Sequence, residues 1–278
     1  YKLNLSISEW NIHGAATLPW NKSYEIKPWI VDTITSKYNG EYPDIIILTE
    51  FIVAKGFDYL QKRLEDMNYN WFISASTGSN GILIAIKNII SNVSFDKILK
   101  YENSTINTSD VLYHHTSPDF YEIVIDIDNI PTSIIGIRIK KDIHNSNPGY
   151  TQTQFHILDS YLTYLSGKKH NVICVGDFNA YWGICWNTSK NNTLSACSKT
   201  YSLHTPDRNE FSYVLPNGKK VQLDHLITNI QIDTLKIDNH YDWTFLNNTN
   251  GYSNIAEDSS QKPVGIPDHA ILRCNINF

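Results

Sequence analysis

Gly176-Asp177-Phe178-Asn179 carries the strongest signal in this sequence. It follows the apolar run 172–175, which is typical of a buried β-strand. Residues two apart in an extended chain point the same way, so Asp177 and Asn179 are expected to reach one pocket. The carboxylate can accept a proton, and the amide can donate to an oxyanion. Because the same residue types also form ordinary turns, the interpretation depends on the other strand ends.

Polar residues also stand at the ends of other predicted strands. The clearest case is Glu50, which closely follows the uninterrupted apolar run 45–48. Such a run is typical of a strand covered on both faces, and packing gives no reason for a glutamate at its end. The other polar positions are Asn11 and His13 after the run 5–10, Asp224 within the run 221–227, and Asp268 and His269 before the run 270–272.

Together these pieces resemble the endonuclease/exonuclease/phosphatase superfamily, whose members include deoxyribonuclease I and exonuclease III. Any one of the motifs is common by chance, but the set occurs in the family's order and spans nearly the whole chain. The matching residues are Trp10-Asn11-Ile12, Thr49-Glu50, Gly81-Ile82-Leu83-Ile84-Ala85, Gly176-Asp177-Phe178-Asn179, Gln222-Leu223-Asp224-His225-Leu226-Ile227 and Pro267-Asp268-His269.

The resemblance implies an α+β fold of the deoxyribonuclease I-like type. This is a four-layered α/β/β/α sandwich, in which two mixed β-sheets pack face to face and the helices lie outside. With 278 residues the chain is near the upper size of a structure with one core, so we expect a single domain over residues 1–278.

The sequence pattern agrees with that fold. Helical periodicity is clear in residues 151–165, and further helices are predicted at 26–37 and 57–67. Apolar runs at 211–215 and 221–227 are expected to be strands, and Asn217-Gly218 between them predicts a hairpin turn.

The resemblance also implies a divalent metal, Mg²⁺ or Mn²⁺. Glu50 is expected to be the main metal ligand, assisted by Asn11 and Asp268. Carboxylate and amide oxygens suit a hard cation of this kind, and Mg²⁺ usually keeps several waters beside a few protein oxygens.

For the remaining strand-end residues the resemblance implies catalytic roles. Asp177 is expected to orient or deprotonate the attacking water, and Asn179 to hold the phosphate or the nucleophile. His269 is expected to contact the phosphate oxygens, and Asp224 to hydrogen-bond His269 and fix its tautomer.

Four positions are candidate substrate contacts. His13 stands where relatives of the exonuclease III type often have an acid, which disfavours an abasic-site endonuclease. Arg138, where several relatives have His or Tyr, could clamp a phosphate or be an ion-paired residue on a sheet face. Tyr181 and Trp182 follow the Asp177 strand and could stack on bases or cap the core.

The amino-acid composition limits which partners the protein is expected to bind. The net charge is −5, only 18% of residues are charged, and no basic run is present, so the surface is more polar than ionic. A basic patch would favour tight nucleic-acid binding, but a local cluster with a metal can still attract phosphate.

No stretch could span a membrane and no secretion signal is visible, so we expect a cytoplasmic protein. Cys174 and Cys274 lie in apolar strand contexts and are expected to be buried thiols.

The sequence therefore predicts a metal-dependent phosphodiesterase, and the leading hypothesis is a nuclease, specifically an endonuclease, that cuts DNA or RNA. Two alternatives stay open. One is a phosphohydrolase of a small or lipid phosphate ester, such as an inositol-phosphate phosphatase or a sphingomyelinase-like enzyme, because a fold does not set its substrate. The other is a catalytically silent binding protein, against which the complete set of polar residues argues.

Overall fold

The computed structural model describes residues 4–13, 25–74, 80–88, 93–99, 119–127, 129–141, 150–180, 200–230, 236–248 and 266–277. The chain forms two compact units. The first consists of Tyr1–Ser91, Pro206–Gln222 and Ile232–Phe278, and the second of Asn92–Thr205 and Leu223–Gln231.

Strands dominate the described part of the chain. They are β1 (Asn4–Asn11), β2 (Ile45–Phe51), β3 (Tyr69–Ile73), β4 (Gly81–Lys87), β5 (Val93–Leu99), β6 (Asp119–Ile127), β7 (Ile130–Arg138), β8 (Asn171–Asp177), β9 (Ser202–His204), β10 (Tyr213–Val214), β11 (Lys220–Val221), β12 (Asp224–Thr228), β13 (Lys236–Asp242) and β14 (Ile271–Asn277).

The three predicted helices are confirmed, with ends that differ by a few residues. They are α1 (Pro28–Ile34), α2 (Phe57–Asp66) and α3 (Tyr150–Gly167), and a 3₁₀ turn covers Thr244–Asn248. Pro28 occupies the first turn of α1, where its missing N–H leaves no hydrogen bond unmade. None of the described helices is both long and apolar enough to cross a membrane.

The first unit contains a six-stranded mixed sheet in the order β13-β14-β1-β2-β4-β3. Only β1 and β2 run parallel, so their carboxyl ends meet at the same edge of the sheet. Helices α1 and α2 pack on this sheet through a hydrophobic cluster that includes Trp10, Leu48 and Leu64. The polar residues at the carboxyl ends of β1 and β2 are therefore carried by a well-packed sheet.

The second unit contains another six-stranded mixed sheet, in the order β5-β6-β7-β8-β12-β9, and here only β7 and β8 are parallel. The apolar stripe of α3 packs on this sheet, with Phe155, Leu158 and Leu162 against Ile137 and Cys174. Cys174 and Cys274 are buried thiols outside any disulfide, as predicted.

Two strand predictions need correction. Residues 221–227 were expected to form one strand, but they divide between β11 in the first unit and β12 in the second. Gln222 lies between the two strands and belongs to neither. Its side-chain amide donates to the carbonyls of Pro206, Asp207 and Glu210. The run 211–215 contributes only the short β10, which forms the predicted hairpin with β11, and Gly218 supplies the positive φ of 78° in its turn.

Candidate active site

Glu50 lies at the carboxyl end of β2 in a strained backbone conformation. Its φ is 48°, in the left-handed region that non-glycine residues rarely adopt. The pairing of β2 with β4 is irregular between Leu48 and Phe51, which is the signature of a β-bulge. Bulges of this kind re-aim a side chain, and strained residues concentrate at functional sites. The bulge and the strain therefore mark Glu50 as a functional candidate.

Both carboxylate oxygens of Glu50 are held by residues at the carboxyl end of β1. The amide nitrogen of Asn11 donates to Oε1 at 3.2 Å, and His13 Nδ1 lies 3.3 Å from Oε2. Asn11 also accepts a hydrogen bond from the backbone N–H of His13 at 3.0 Å, and His13 has a φ of 49°. The Glu50 side chain is only 12% exposed, so these contacts fix its direction. The structure thus places His13, a candidate substrate contact, against the Glu50 carboxylate.

Glu9 and Thr49 support this arrangement. The sequence interpretation missed Glu9 and named Thr49 only as part of a family motif. Glu9 is fully buried, and its Oε1 accepts a hydrogen bond of 3.0 Å from Thr49 Oγ1. Thr49 in turn is the residue that pairs with Asn11 and precedes Glu50. The available signal was a glutamate inside an apolar strand, two residues before Asn11 and therefore on the same face.

Asp268 and His269 lie just before β14 and are both buried. The carbonyl of His269 accepts a hydrogen bond of 2.9 Å from Trp10 Nε1, and its ring centroid lies 4.9 Å from that of Tyr213. The next residue, Ala270, donates its N–H to the carbonyl of Ser212 at 2.9 Å. These contacts hold the segment beside Trp10, the residue that precedes Asn11.

In the second unit Asp177 and Asn179 form a closed turn at the end of β8. The backbone N–H of Asn179 donates to Asp177 Oδ1 at 2.8 Å, and its side-chain nitrogen donates to Oδ2 at 2.9 Å. The same side-chain nitrogen donates to the carbonyl of Ile139 at 2.7 Å. Asn179 has a φ of 48°, so a left-handed turn, not strand alternation, brings the two residues together.

Gly176, the first residue of the motif, is required by close packing of the backbone. A Cβ atom at this position would lie 1.8 Å from the carbonyl oxygen of Ile137 on the neighbouring strand. Any side chain would therefore push β7 and β8 apart. The glycine thus fixes the spacing of the strands that carry Arg138 and Asp177.

Asp177 belongs to a row of charged residues across four adjacent strands. Asp119 of β6 pairs with Arg138 of β7, Arg138 with Asp177 of β8, and Asp177 with Asp224 of β12. Side chains of directly paired residues lie on the same face of a sheet, so all four belong to one face. The sequence interpretation named three members of the row and missed Asp119.

Arg138 forms an ion pair with Asp119 in this row. Its Nη1 lies 3.3 Å from Asp119 Oδ2, and Lys140 Nζ approaches the other oxygen of Asp119 at 3.5 Å. The geometry matches the alternative in which Arg138 is ion-paired on a sheet face. Contact of Arg138 with a phosphate stays a prediction.

The candidate residues fall into two sets. Asn11, His13, Glu50, Asp268 and His269 belong to the first unit, and Arg138, Asp177, Asn179 and Asp224 to the second. Tyr181 and Trp182 lie outside the described residues. The predicted hydrogen bond between Asp224 and His269 joins residues of different units and stays a prediction.

Comparison with known proteins identifies the family. The sequence profile of the Endonuclease/Exonuclease/phosphatase family matches residues 9–249. The chain belongs to this family. No curated protein sequence matches the chain.

Solved structures of this family share the fold over the whole chain. D. rerio TDP2 in complex with a single strand DNA product is 15% identical with a TM-score of 0.65, and 99% of each chain is covered. The 3′ phosphatase NExo from Neisseria, bound to a product DNA hairpin, is 15% identical with a TM-score of 0.58 over 97% of this chain and 98% of its own. The 2′,3′-cyclic phosphatase ANGEL2, in complex with adenosine-2′,3′-vanadate, is 14% identical with a TM-score of 0.62 over 100% of this chain and 96% of its own. The predicted deoxyribonuclease I-like α+β fold class is confirmed.

Proposed function

We propose that this member of the endonuclease/exonuclease/phosphatase family is a nuclease that hydrolyses phosphodiester bonds of DNA or RNA with a divalent metal, Mg²⁺ or Mn²⁺. The observation that carries the proposal is the buried carboxylate of Glu50. It stands in a left-handed backbone conformation at a β-bulge, and Asn11 and His13 hold its two oxygens. A strained, oriented and buried carboxylate has no role in packing, whereas it is suited to binding a cation.

The residues of the first unit fit a divalent metal. Glu50, the amide oxygen of Asn11 and the carboxylate of Asp268 are all hard oxygen donors, the type that Mg²⁺ and Mn²⁺ prefer. Glu50 is the principal ligand in this proposal, because its direction is fixed by two neighbours. When bound, the metal supplies positive charge that neutralises the phosphate and lowers the pKa of a coordinated water.

The second unit supplies the group that receives the proton of the attacking water. The carboxylate of Asp177 is fixed by two hydrogen bonds from Asn179 and can accept that proton. Both hydrogens of the Asn179 side-chain amide are used, one by Asp177 and one by Ile139. Its oxygen is therefore the atom suited to accept a hydrogen bond from the water. Of the two predicted roles of Asn179, this favours holding the nucleophile.

His269 completes the set as the group that donates to a phosphate oxygen. Trp10 Nε1 donates to the backbone carbonyl of His269, and the ring of Tyr213 lies beside the imidazole. These two contacts fix the position of the imidazole. A donor positioned in advance stabilises the charge that develops on the phosphate during attack.

The proposed substrate class is nucleic acid. TDP2 and NExo were solved with DNA products, and ANGEL2 with an adenosine vanadate. NExo and ANGEL2 are named as phosphatases, which favours a second candidate function for this chain: removal of 3′ or 2′,3′-cyclic phosphates from the ends of nucleic acids.

The experiment separates these functions by substrate. Supercoiled plasmid, labelled single-stranded DNA and labelled RNA are incubated with Mg²⁺, with Mn²⁺ and with EDTA. A second panel contains the same oligonucleotides with 3′-phosphate or 2′,3′-cyclic phosphate ends. The variants are Glu50→Gln and Asp177→Asn, and Glu41→Gln at an exposed position is the matched control. Binding of Mn²⁺ is measured separately by electron paramagnetic resonance.

We expect metal-dependent cutting by the wild type and by Glu41→Gln, and loss of cutting in both site variants. Glu50→Gln should also weaken Mn²⁺ binding, whereas Asp177→Asn should leave it nearly unchanged. Release of phosphate without internal cutting would reject the nuclease proposal and support the end-processing phosphatase. No turnover of any nucleic acid by folded wild-type protein that binds Mn²⁺ would overturn the proposed substrate class.

A further inference from the structure

His225 follows Asp224 on β12, but it faces the opposite side of the sheet. It is fully buried and contacts the turn at the end of β8. Its Nε2 lies 2.9 Å from the carbonyl oxygen of Ala180, its Nδ1 lies 3.0 Å from Thr205 Oγ1, and its ring centroid is 5.7 Å from that of Phe178. All of these residues belong to the second unit.

The partners of His225 fix its tautomer. The carbonyl of Ala180 can only accept a hydrogen bond, so Nε2 carries the hydrogen. Nδ1 of the neutral ring is then an acceptor, and the hydroxyl of Thr205 donates to it. Burial lowers the pKa of His225, which agrees with an uncharged ring. His225 is therefore a fixed hydrogen-bond donor, and no proton exchange with solvent is needed for this role.

Ala180 directly follows Asn179, the strained residue of the turn at the end of β8. The turn begins where Phe178 donates its N–H to the carbonyl of Leu223 at 2.8 Å, and it passes through Asn179 with its φ of 48°. A left-handed residue persists only when its surroundings hold it in place. The bond from His225 to Ala180 holds the exit of the turn, and Leu223 holds its entrance.

We propose that His225 is a positioning residue, which keeps Asn179 and Asp177 in their reactive geometry through its hydrogen bond to Ala180 without contacting the substrate. Thr205 supports the same contact, because its hydroxyl donates to Nδ1 and satisfies the acceptor nitrogen of the buried ring. The inference rests on the proposed function, which makes Asp177 and Asn179 the groups that handle the attacking water.

The test compares two substitutions at the same site. His225→Phe keeps an aromatic ring beside Phe178 but removes the donor to Ala180. His225→Gln keeps an N–H donor and an acceptor oxygen. His204→Phe is the matched control, since His204 lies on the neighbouring strand β9 and its Nε2 contacts Ser202, not the turn. For each protein we would measure kcat, KM, the urea unfolding midpoint and the NMR signals of the Asn179 side-chain amide.

We expect His225→Phe to lower kcat about 100-fold with KM changed less than about 2-fold, because misplaced reacting groups affect the chemical step. His225→Gln should recover most of the lost kcat, and His204→Phe should match the wild type. The Asn179 amide signals should move in His225→Phe and stay in place in the control. Wild-type kcat in a folded His225→Phe, or equal losses in the Phe and Gln variants, would overturn the proposal.

Two further measurements keep the outcome clear. If His225→Phe does not fold, Thr205→Val takes its place. This variant removes the donor to Nδ1, so we expect the Asn179 amide signals to move and kcat to fall. Wild-type kcat with unmoved Asn179 signals would overturn the proposal. If the wild type hydrolyses no substrate, the proposed function fails by itself. The Asn179 signals then still decide whether His225 positions the turn.

Discussion

Asp177 and Asp224 occupy directly opposed positions on the antiparallel strands β8 and β12, and a carboxylate oxygen of one lies within 4.8 Å of a carboxylate oxygen of the other. Both residues are buried. Two carboxylates at this distance repel each other when both are charged, and packing gives no reason to keep them together. The pair is therefore best explained by chemistry that needs two carboxylates on one face.

Asp177→Asn should abolish most of the catalytic rate. An amide cannot take a proton from the attacking water, and a positioned general base typically contributes about 10²–10⁴-fold. We expect kcat to fall by that factor in a cleavage assay while Mn²⁺ binding is retained. Asp32→Asn, at an exposed position of α1, is the control. A variant with more than about a tenth of wild-type kcat would mean that Asp177 is not the base.

Asp224→Asn should stabilise the folded protein. The substitution keeps the shape of the side chain and removes one of two neighbouring charges, whose repulsion at this separation is about 1 kcal/mol even in a water-like medium. The urea unfolding midpoint should rise, and catalysis should fall. If the midpoint falls instead, the contacts of the Asp224 carboxylate stabilise its charge more than Asp177 destabilises it.

The strained backbone at Glu50 predicts how stability depends on the residue at this position. Glu50→Gly and Glu50→Ala both remove the carboxylate, so both should lose Mn²⁺ binding and nuclease activity. Only glycine adopts a φ of 48° without strain, so the Gly variant should be about 1 kcal/mol more stable than the Ala variant. Equal unfolding free energies would show that the bulge relaxes when the carboxylate is removed.

Much of the candidate site could be predicted from the sequence, because strand ends are marked by a change from apolar to polar residues. The apolar runs before Glu50 and before Asp177 both gave the correct strands, although β2 continues to Phe51 and β8 to Asp177. The left-handed conformations of Glu50 and Asn179 were not predictable. They arise from a bulge and from a turn that depend on partners such as Ile139, far away in the sequence.

The division of residues 221–227 between two strands also could not be predicted from the sequence. The run is apolar enough for one strand, and the break at Gln222 appears only when its amide meets three carbonyls of another segment. The contacts of His225 were hidden for the same reason. Strand alternation places its side chain on the face opposite to Asp224, but Ala180 and Thr205 are brought to it only by the tertiary structure.

Two glycines provide a matched test of backbone packing. Gly176→Ala should destabilise the protein by at least about 2 kcal/mol, because the new Cβ would lie 1.8 Å from a backbone oxygen that cannot move without separating β7 and β8. Gly167→Ala, at the end of α3, meets no atom within 4 Å and should be neutral or slightly stabilising. Urea unfolding of both variants checks the difference. Similar stabilities would mean that the strands can shift without penalty.

Glu122 predicts how stability depends on pH. This carboxyl group is buried in the second unit, where Tyr161 donates a hydrogen bond to it. Burial raises the pKa of Glu122, although hydrogen bonds from Ser133 and Tyr161 partly oppose the shift. The folded protein therefore binds this proton more tightly than the unfolded chain. The resulting stability is fully present below the unfolded pKa and is lost as pH rises through the folded pKa.

Glu122→Gln should remove this dependence. The uncharged amide has no proton to lose, so the variant should be more stable than the wild type at neutral pH, and the difference should shrink as pH falls towards the ordinary range of a glutamate pKa. Urea midpoints measured between about pH 4 and pH 8 test this, with the exposed Glu41→Gln as control. A variant that is less stable than the wild type throughout that range would show that the hydrogen bonds to the carboxylate outweigh its burial.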